Sequence, residues 1–229
     1  MQIKPIAYIK TDFKEKFGIP RQSGRSPSSI GKIFFQKEFN SLDAIRGIEE
    51  FTHIWLIFGF SKNMYDKFSP TVRPPRLGGN QRVGVFASRS PYRPNMLGLS
   101  SVKLIKVKNE NGIISLIVSG VDLLDGTPIY DIKPYIFQTD CHTDAKSGYS
   151  DENWGHSLKV NFRKEMLDLI EIEKQKSLIE CLSDDPRPSY HLDDRTYHML
   201  FADYDISFIV KEQELTVTEV KKSKKESLI

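Results

Sequence analysis

Cysteine is scarce in this sequence, with two residues, Cys141 and Cys181, among 229. Two thiols cannot staple a disulfide scaffold. The opening Met-Gln-Ile-Lys-Pro-Ile-Ala-Tyr has no apolar core or small-residue cleavage site of a secretory leader, so reduced thiols in a cytoplasmic protein are the expectation. Long hydrophobic runs are missing as well. The longest, Ile-Trp-Leu-Ile-Phe-Gly-Phe over residues 54–60, is far shorter than the roughly 20 residues that span a bilayer, and no membrane span is expected. Neither Gly-x-Gly-x-x-Gly nor Gly-x-x-x-x-Gly-Lys-Ser/Thr occurs, which removes the usual signatures of a dinucleotide fold and a phosphate loop. Histidines 53, 142, 156, 191 and 198 never take zinc-site spacing with the cysteines, so no metal is expected. Cys141 and His142 are adjacent, and adjacent side chains diverge too far to make a thiol nucleophile and its base.

What is present is an ordinary core-forming composition, 39% hydrophobic and 28% charged. At about 150 residues per domain, the length implies one main domain and a smaller appendage. The net charge of +3 conceals a split along the chain. Residues 1–108 hold 19 Lys and Arg against 7 Asp and Glu, whereas residues 109–229 hold 14 against 23. Arg73, Arg76, Arg82, Arg89 and Arg93 share a stretch free of acid and lysine. A polyanionic partner is one reading. The other is that these arginines scatter over separate faces and pair with the acidic half.

Residues 2–10, 30–35, 53–60 and 82–87 read as strands, and 102–108 with 113–120 as a hairpin across Asn109-Glu-Asn-Gly112. Ser41 opens a short helical pattern through Leu42, Ile45, Ile48 and Phe51. Residues 162–182 read as one amphipathic helix, and 206–210 with 215–220 as a terminal hairpin. The expected architecture is a mainly β, barrel-like domain over residues 1–150, a smaller α+β domain over 156–222, and a frayed, lysine-bearing tail over 223–229. Between the first two strands, residues 18–29 form a Gly-, Pro- and Ser-rich loop carrying Arg21 and Arg25, long enough to be functional.

Two segments could carry chemistry. In Ser88-Arg-Ser-Pro-Tyr-Arg-Pro-Asn-Met-Leu-Gly-Leu-Ser100, prolines stiffen a loop whose arginines make paired, charge-assisted hydrogen bonds to carboxylate or phosphate. In Gly120-Val-Asp-Leu-Leu-Asp-Gly-Thr-Pro128, Asp125-Gly126 makes a tight turn, either a binding element or simply the turn of a hairpin.

The Ser88–Ser100 loop and the Leu123-Leu-Asp-Gly-Thr-Pro128 turn, with Pro20-Arg-Gln22, Asp131-Ile-Lys-Pro-Tyr-Ile136 and Asp185-Pro-Arg-Pro-Ser-Tyr190, are together similar to the TsaA-like (TrmO) family, in order and over nearly the whole chain. Met96 departs from the pattern, since proline is common there; the change loosens the loop and removes no polar group. The resemblance implies a small β-barrel that binds S-adenosylmethionine without a Rossmann fold, as a homodimer with the cofactor near the subunit interface. It implies methylation of the N6 nitrogen of threonylcarbamoyladenosine beside the anticodon of threonine tRNA. By position in the motifs, Pro20, Arg21, Gln22, Arg89, Leu99, Asp125, Gly126, Thr127 and Pro128 are the cofactor contacts carried over. Asp131 or Tyr130 is the candidate proton acceptor, and Arg25, Arg73, Arg76, Arg82, Arg93 and Asn95 are candidates for the anticodon stem-loop. A noncatalytic RNA-binding or adaptor module is the alternative.

Overall fold

A computed structural model describes residues 2–62, 67–74, 77, 81–153, 155–188 and 195–223. Its larger part is a closed barrel of six strands. In chain order these are β1 (Ala7–Thr11), β2 (Ile30–Phe35), β3 (His53–Gly59), β6 (Leu97–Glu110), β7 (Ile113–Ser119) and β8 (Thr127–Pro134). The short strands β4 (Thr71–Val72) and β5 (Val83–Gly84) pair with each other outside the barrel.

Alternation of side chains explains the barrel. Ile9, Ile33, Ile54, Leu56, Leu116, Val118 and Ile129 are fully shielded, and intervening positions such as Tyr8 and Lys10 face outward. At Gly98 an added Cβ would lie 2.3 Å from the Phe58 ring, so only glycine lets β6 approach β3 this closely.

The expected hairpin of residues 102–120 is present, with β6 starting earlier than the apolar run indicated. Asp125-Gly126 does not join neighbouring strands. β7 and β8 never pair; the chain crosses over, and β8 closes the barrel between β1 and β3. Gly126, at φ +74°, makes the turn, and Gly126 N–H donates to Ile9 O at 2.9 Å.

The smaller part is a sheet in the order β10 (Tyr197–Phe201), β11 (Tyr204–Lys211), β12 (Glu214–Lys222), β9 (Lys159–Asn161), with β9 parallel to β12. Beside it the expected single helix is two: α2 (Lys164–Leu167) and α3 (Ile172–Ser183), after the short α1 (Phe137–Asp140) of the preceding segment. Gln175 Nε2 donates to Leu167 O and Ile170 O at the break, taking up carbonyls that a continuous helix would have used. The pattern over residues 41–51 forms isolated 3-10 turns, divided by Gly47 at φ +83°. Likewise the strand expected at 82–87 is two residues of β5 and a 3-10 turn, Val85–Ala87.

Barrel and sheet share one continuous apolar core. Phe13 meets Phe201 edge-on at 5.9 Å, and Phe17 stacks on Tyr197 and Phe208. The segment after β1 therefore docks on the second sheet before turning back across the barrel. Of the tail, Ser223 N–H donates to Asp203 O at 2.7 Å, and residues 224–229 lie outside the described part.

Candidate functional site

The loop after β1, the segment from β4 through β5, the arginine loop, residues 145–151 and Pro186 with Pro188 enclose a cleft of about 1870 Å³. Its described lining carries Lys16, Arg21, Lys67, Arg73, Arg82, Arg89 and Lys146 against one carboxylate, Asp151. Phe17, Ile19, Val72, Phe86 and Tyr92 supply apolar surface. Such a wall suits a ligand with flat apolar parts and negative charge.

The arginine stretch divides by role. Arg73, Arg82 and Arg89 converge on the cleft, with Arg82 Nη1 donating to Thr71 Oγ1 at 2.9 Å and Arg89 to Gln22 Oε1. Arg93 turns inward: its Nη1 donates to Ser88 O at 2.7 Å and Val85 O at 3.3 Å, and its guanidinium sits 6.0 Å from the Phe86 ring centre, so it shapes the loop. Arg76 lies outside the described residues. Asn95 is exposed beyond the cleft lining. Met96 holds φ +49°, a conformation closed to the proline common in the family, so the departure reshapes the loop rather than merely loosening it.

Arg21 and Arg25 tie the early loop to the acidic end of α3. Arg21 Nη2 donates to the Asp185 and Arg187 carbonyls, and Arg21 N–H to Asp184 Oδ2 at 3.4 Å. Arg25 Nε donates to Asp184 Oδ1 at 2.7 Å and Nη2 to His156 O at 3.0 Å. Arg25, a candidate contact for the anticodon stem-loop, thus has its guanidinium engaged in a tertiary ion pair. Asp185 is gripped by both Nε and Nη2 of Arg187 and approached by His156 Nε2, and these bonds hold its carboxyl below the usual range despite burial, which pushes it up. Ser189 and Tyr190 of this motif lie outside the described residues.

The remaining candidates sit elsewhere. Pro20 is buried at the base of the early loop. Asp125 accepts from Thr11 N–H through Oδ1 and pairs with Lys14 through Oδ2, both at 2.9 Å. Thr127 Oγ1 donates to Leu124 O, and Pro128 faces Tyr8 across β1. Asp125 and Gly126 border a second, smaller groove with Tyr8, Ile9, Lys10 and Phe34. Leu99, 54% exposed, projects from β6. Asp131 accepts from Ile132 N–H and pairs with Lys133 at 3.1 Å, while Tyr130 lies against Gly59; neither lines the cleft.

One residue that motif reading passed over is Asp122. Val121 and Leu123 on either side are buried at 0% and 1% exposure. The Asp122 Oδ1 is sealed from solvent and has no hydrogen-bond partner among the described residues. Burial pushes its carboxyl up to about 6, against hydrogen bonds from Ser100, its own backbone and Ser23 and against the Arg89 charge, which pull it down. Its only sequence signal was an acid between two aliphatics, next to the Asp125 turn. Among the described residues no cluster of three or more metal-ligating side chains occurs, and no helix is long and apolar enough to cross a membrane.

Comparison with known proteins bears on both parts of the chain. Residues 8–141 match the tRNA-methyltransferase O N-terminal domain and residues 155–223 the TrmO C-terminal domain. The chain is 38% identical over 220 residues to the Escherichia coli tRNA (adenine(37)-N6)-methyltransferase, covering 92% of this chain and 94% of that protein. It is 39% identical over 220 residues, 89% of this chain and 90% of that protein, to a Pseudomonas aeruginosa protein described as a putative S-adenosylmethionine-dependent methyltransferase. A crystal structure of TrmO from Pseudomonas aeruginosa superposes with a TM-score of 0.79 at 31% identity, covering 97% of both chains. With both domains matched in order and the fold shared end to end, the chain belongs to the TrmO family of tRNA methyltransferases.

Proposed function

We propose that this protein transfers the methyl group of S-adenosylmethionine to N6 of threonylcarbamoyladenosine 37, beside the anticodon of threonine tRNA, acting in the cytoplasm as a homodimer. The observation that carries this reading is the cleft, where Arg21, Gln22 and Arg89 of two family motifs meet on one basic wall. At about 1870 Å³ it exceeds the roughly 300–1,000 Å³ of an ordinary ligand site, leaving room for a nucleotide beside a cofactor. We assign cofactor binding to residues 1–150 and a supporting or tRNA-selecting role to 156–222.

The residues present fit the cofactor. Its adenosyl part is flat and suits the Phe17, Ile19 and Phe86 surface, and the carboxylate of its amino-acid end suits Arg89. When bound, the cofactor supplies an electrophilic methyl carbon for in-line displacement. The chain's part is then orientation. Arg21, Gln22 and Arg89 hold one reactant, and Arg73, Arg82 and Lys67 receive the phosphates of the other. Asp125 to Pro128 and Leu99, which do not line this wall, are proposed to complete a site across the dimer.

The substrate nitrogen is a ureido N–H, more acidic than an adenine amine, and its deprotonation produces the better nucleophile. Asp131 and Tyr130 are the acceptors the motifs offered. With Asp131 engaged by Lys133 and Tyr130 packed on Gly59, positioning rather than either group is the favoured source of rate.

The test is to incubate the purified protein with S-adenosylmethionine and threonylcarbamoylated tRNA, then digest to nucleosides for mass spectrometry. A gain of one methyl on the modified nucleoside is expected. Salt-sensitive tRNA binding without cofactor binding would favour the adaptor alternative.

A further inference from the structure

Asp122 lies outside every motif contact discussed for the cofactor, yet its surroundings are built. It follows the Gly120 turn, where Gly120 O accepts from Gly24 N–H at 2.9 Å and so brings the early loop over it. Ser100 approaches from β6 and is itself 3% exposed. Ser23 approaches from the early loop, directly after Gln22, which holds Arg89. The charged side chain that bears on Asp122 is Arg89, from the arginine loop. Lys14 is taken by Asp125, and the chain neighbours Val121 and Leu123 are apolar.

A buried carboxylate oxygen without a donor is destabilising and persists where another component completes it. The missing partner must bring an N–H or O–H, and positive charge on it would suit best. An opposite charge stands beside Asp122, since Arg89 is drawn toward Gln22 at the edge of the cleft. A cation and an anion held side by side form the complement of an α-amino acid, whose carboxylate and ammonium are themselves side by side.

We infer that Asp122 and Arg89 together read the amino-acid end of the cofactor, with Asp122 Oδ1 accepting from the α-ammonium and Arg89 donating to the α-carboxylate. This rests on the reading of the cleft as an S-adenosylmethionine site. Binding then moves the Gln22 and Arg89 side chains enough to admit the ammonium to Oδ1. Because Asp122 is held near pH 6, the arriving ammonium drives off whatever proton it carries.

Calorimetric titration of the full chain at pH 6, in two buffers of different ionisation enthalpy, tests this with S-adenosylhomocysteine and with 5′-methylthioadenosine, which lacks the amino-acid end. For the wild type, about half a proton is released with the first ligand and none with the second. Asp122→Asn abolishes the release and weakens S-adenosylhomocysteine roughly ten-fold or more, leaving methylthioadenosine affinity unchanged. Ser100→Ala keeps the carboxylate but removes a bond that lowers its pKa, so the pH of maximal release moves up. Equal weakening of both ligands by Asp122→Asn would make Asp122 a scaffold residue and overturn the inference, as would unchanged proton release or an unmoved maximum. Failure of the wild type to bind either ligand would instead refute the cofactor site itself.

Discussion

Arg25 Nε and Asp184 Oδ1 lie 2.7 Å apart, with the two side chains 17% and 4% exposed. The pair joins the first long loop of the basic half to the end of α3 in the acidic half. Removing one partner strands the other charge in a poorly solvated place. Arg25→Ala is expected to lower unfolding free energy by roughly 3 kcal/mol in urea denaturation, while leaving the salt dependence of tRNA binding unchanged. A reduced salt slope would return Arg25 to the phosphate contacts.

Arg89 is exposed, and its guanidinium donates to Gln22. Its loss should cost binding rather than stability. Arg89→Ala is expected to weaken S-adenosylmethionine roughly ten- to hundred-fold, as for a hydrogen bond to a charged group, with a melting temperature near wild type. Deleting residues 224–229 should weaken cofactor binding far less, and the opposite ranking would overturn the site assignment.

Arg73 and Arg82 face the same cleft without a carboxylate partner in the described structure. Each phosphate contact to a single strand contributes a slope of about −0.7 in log K against log salt. Alanine at either position should make the slope shallower by about that amount in a filter-binding series. Arg93→Ala, which removes bonds internal to the loop, should instead disturb cofactor binding at constant slope.

Asp122 also sets a pH dependence of stability. Its folded carboxyl titrates near 6, above the ordinary 3.8, so between those values the folded chain binds more protons than the unfolded one and stability falls as pH rises. Asp122→Asn removes this penalty. The variant should therefore gain up to about 3 kcal/mol over wild type at pH 8, relative to their difference at pH 4, in paired thermal unfolding curves.

The two thiols should differ sharply. Cys181 is buried against Ser26 and Ser29, and burial pushes it up to about 11, whereas Cys141 is half-buried. Thiolate is the reactive form. At pH 8 an aromatic disulfide reagent should modify one thiol in the native protein and two after denaturation, with Cys141 carrying the native label by peptide mass.

By itself, the sequence determined what depends on neighbours along the chain. Short apolar runs rich in β-branched and aromatic residues, such as 53–60 and 113–119, specified strands, because such side chains fit a pleated, buried surface. The absence of long apolar runs and nucleotide-loop glycines, the arginine loop and the motif order also needed no coordinates, and they carried the reading to the TrmO family. Tertiary structure alone decided where those strands closed. Asp125-Gly126 left a hairpin turn open beside a binding element because turn chemistry is local, but β8 joined β1 and β3 through barrel closure, which is not. Arg25 and Arg93 looked like Arg73 and Arg82 because charge has no direction in a sequence; Asp184 and the Ser88 carbonyl, reached only through folding, gave them internal partners. Asp122 stayed silent for the same reason. Its meaning lies in the burial of one oxygen beside Arg89, Ser100 and Ser23, which only the folded chain brings together.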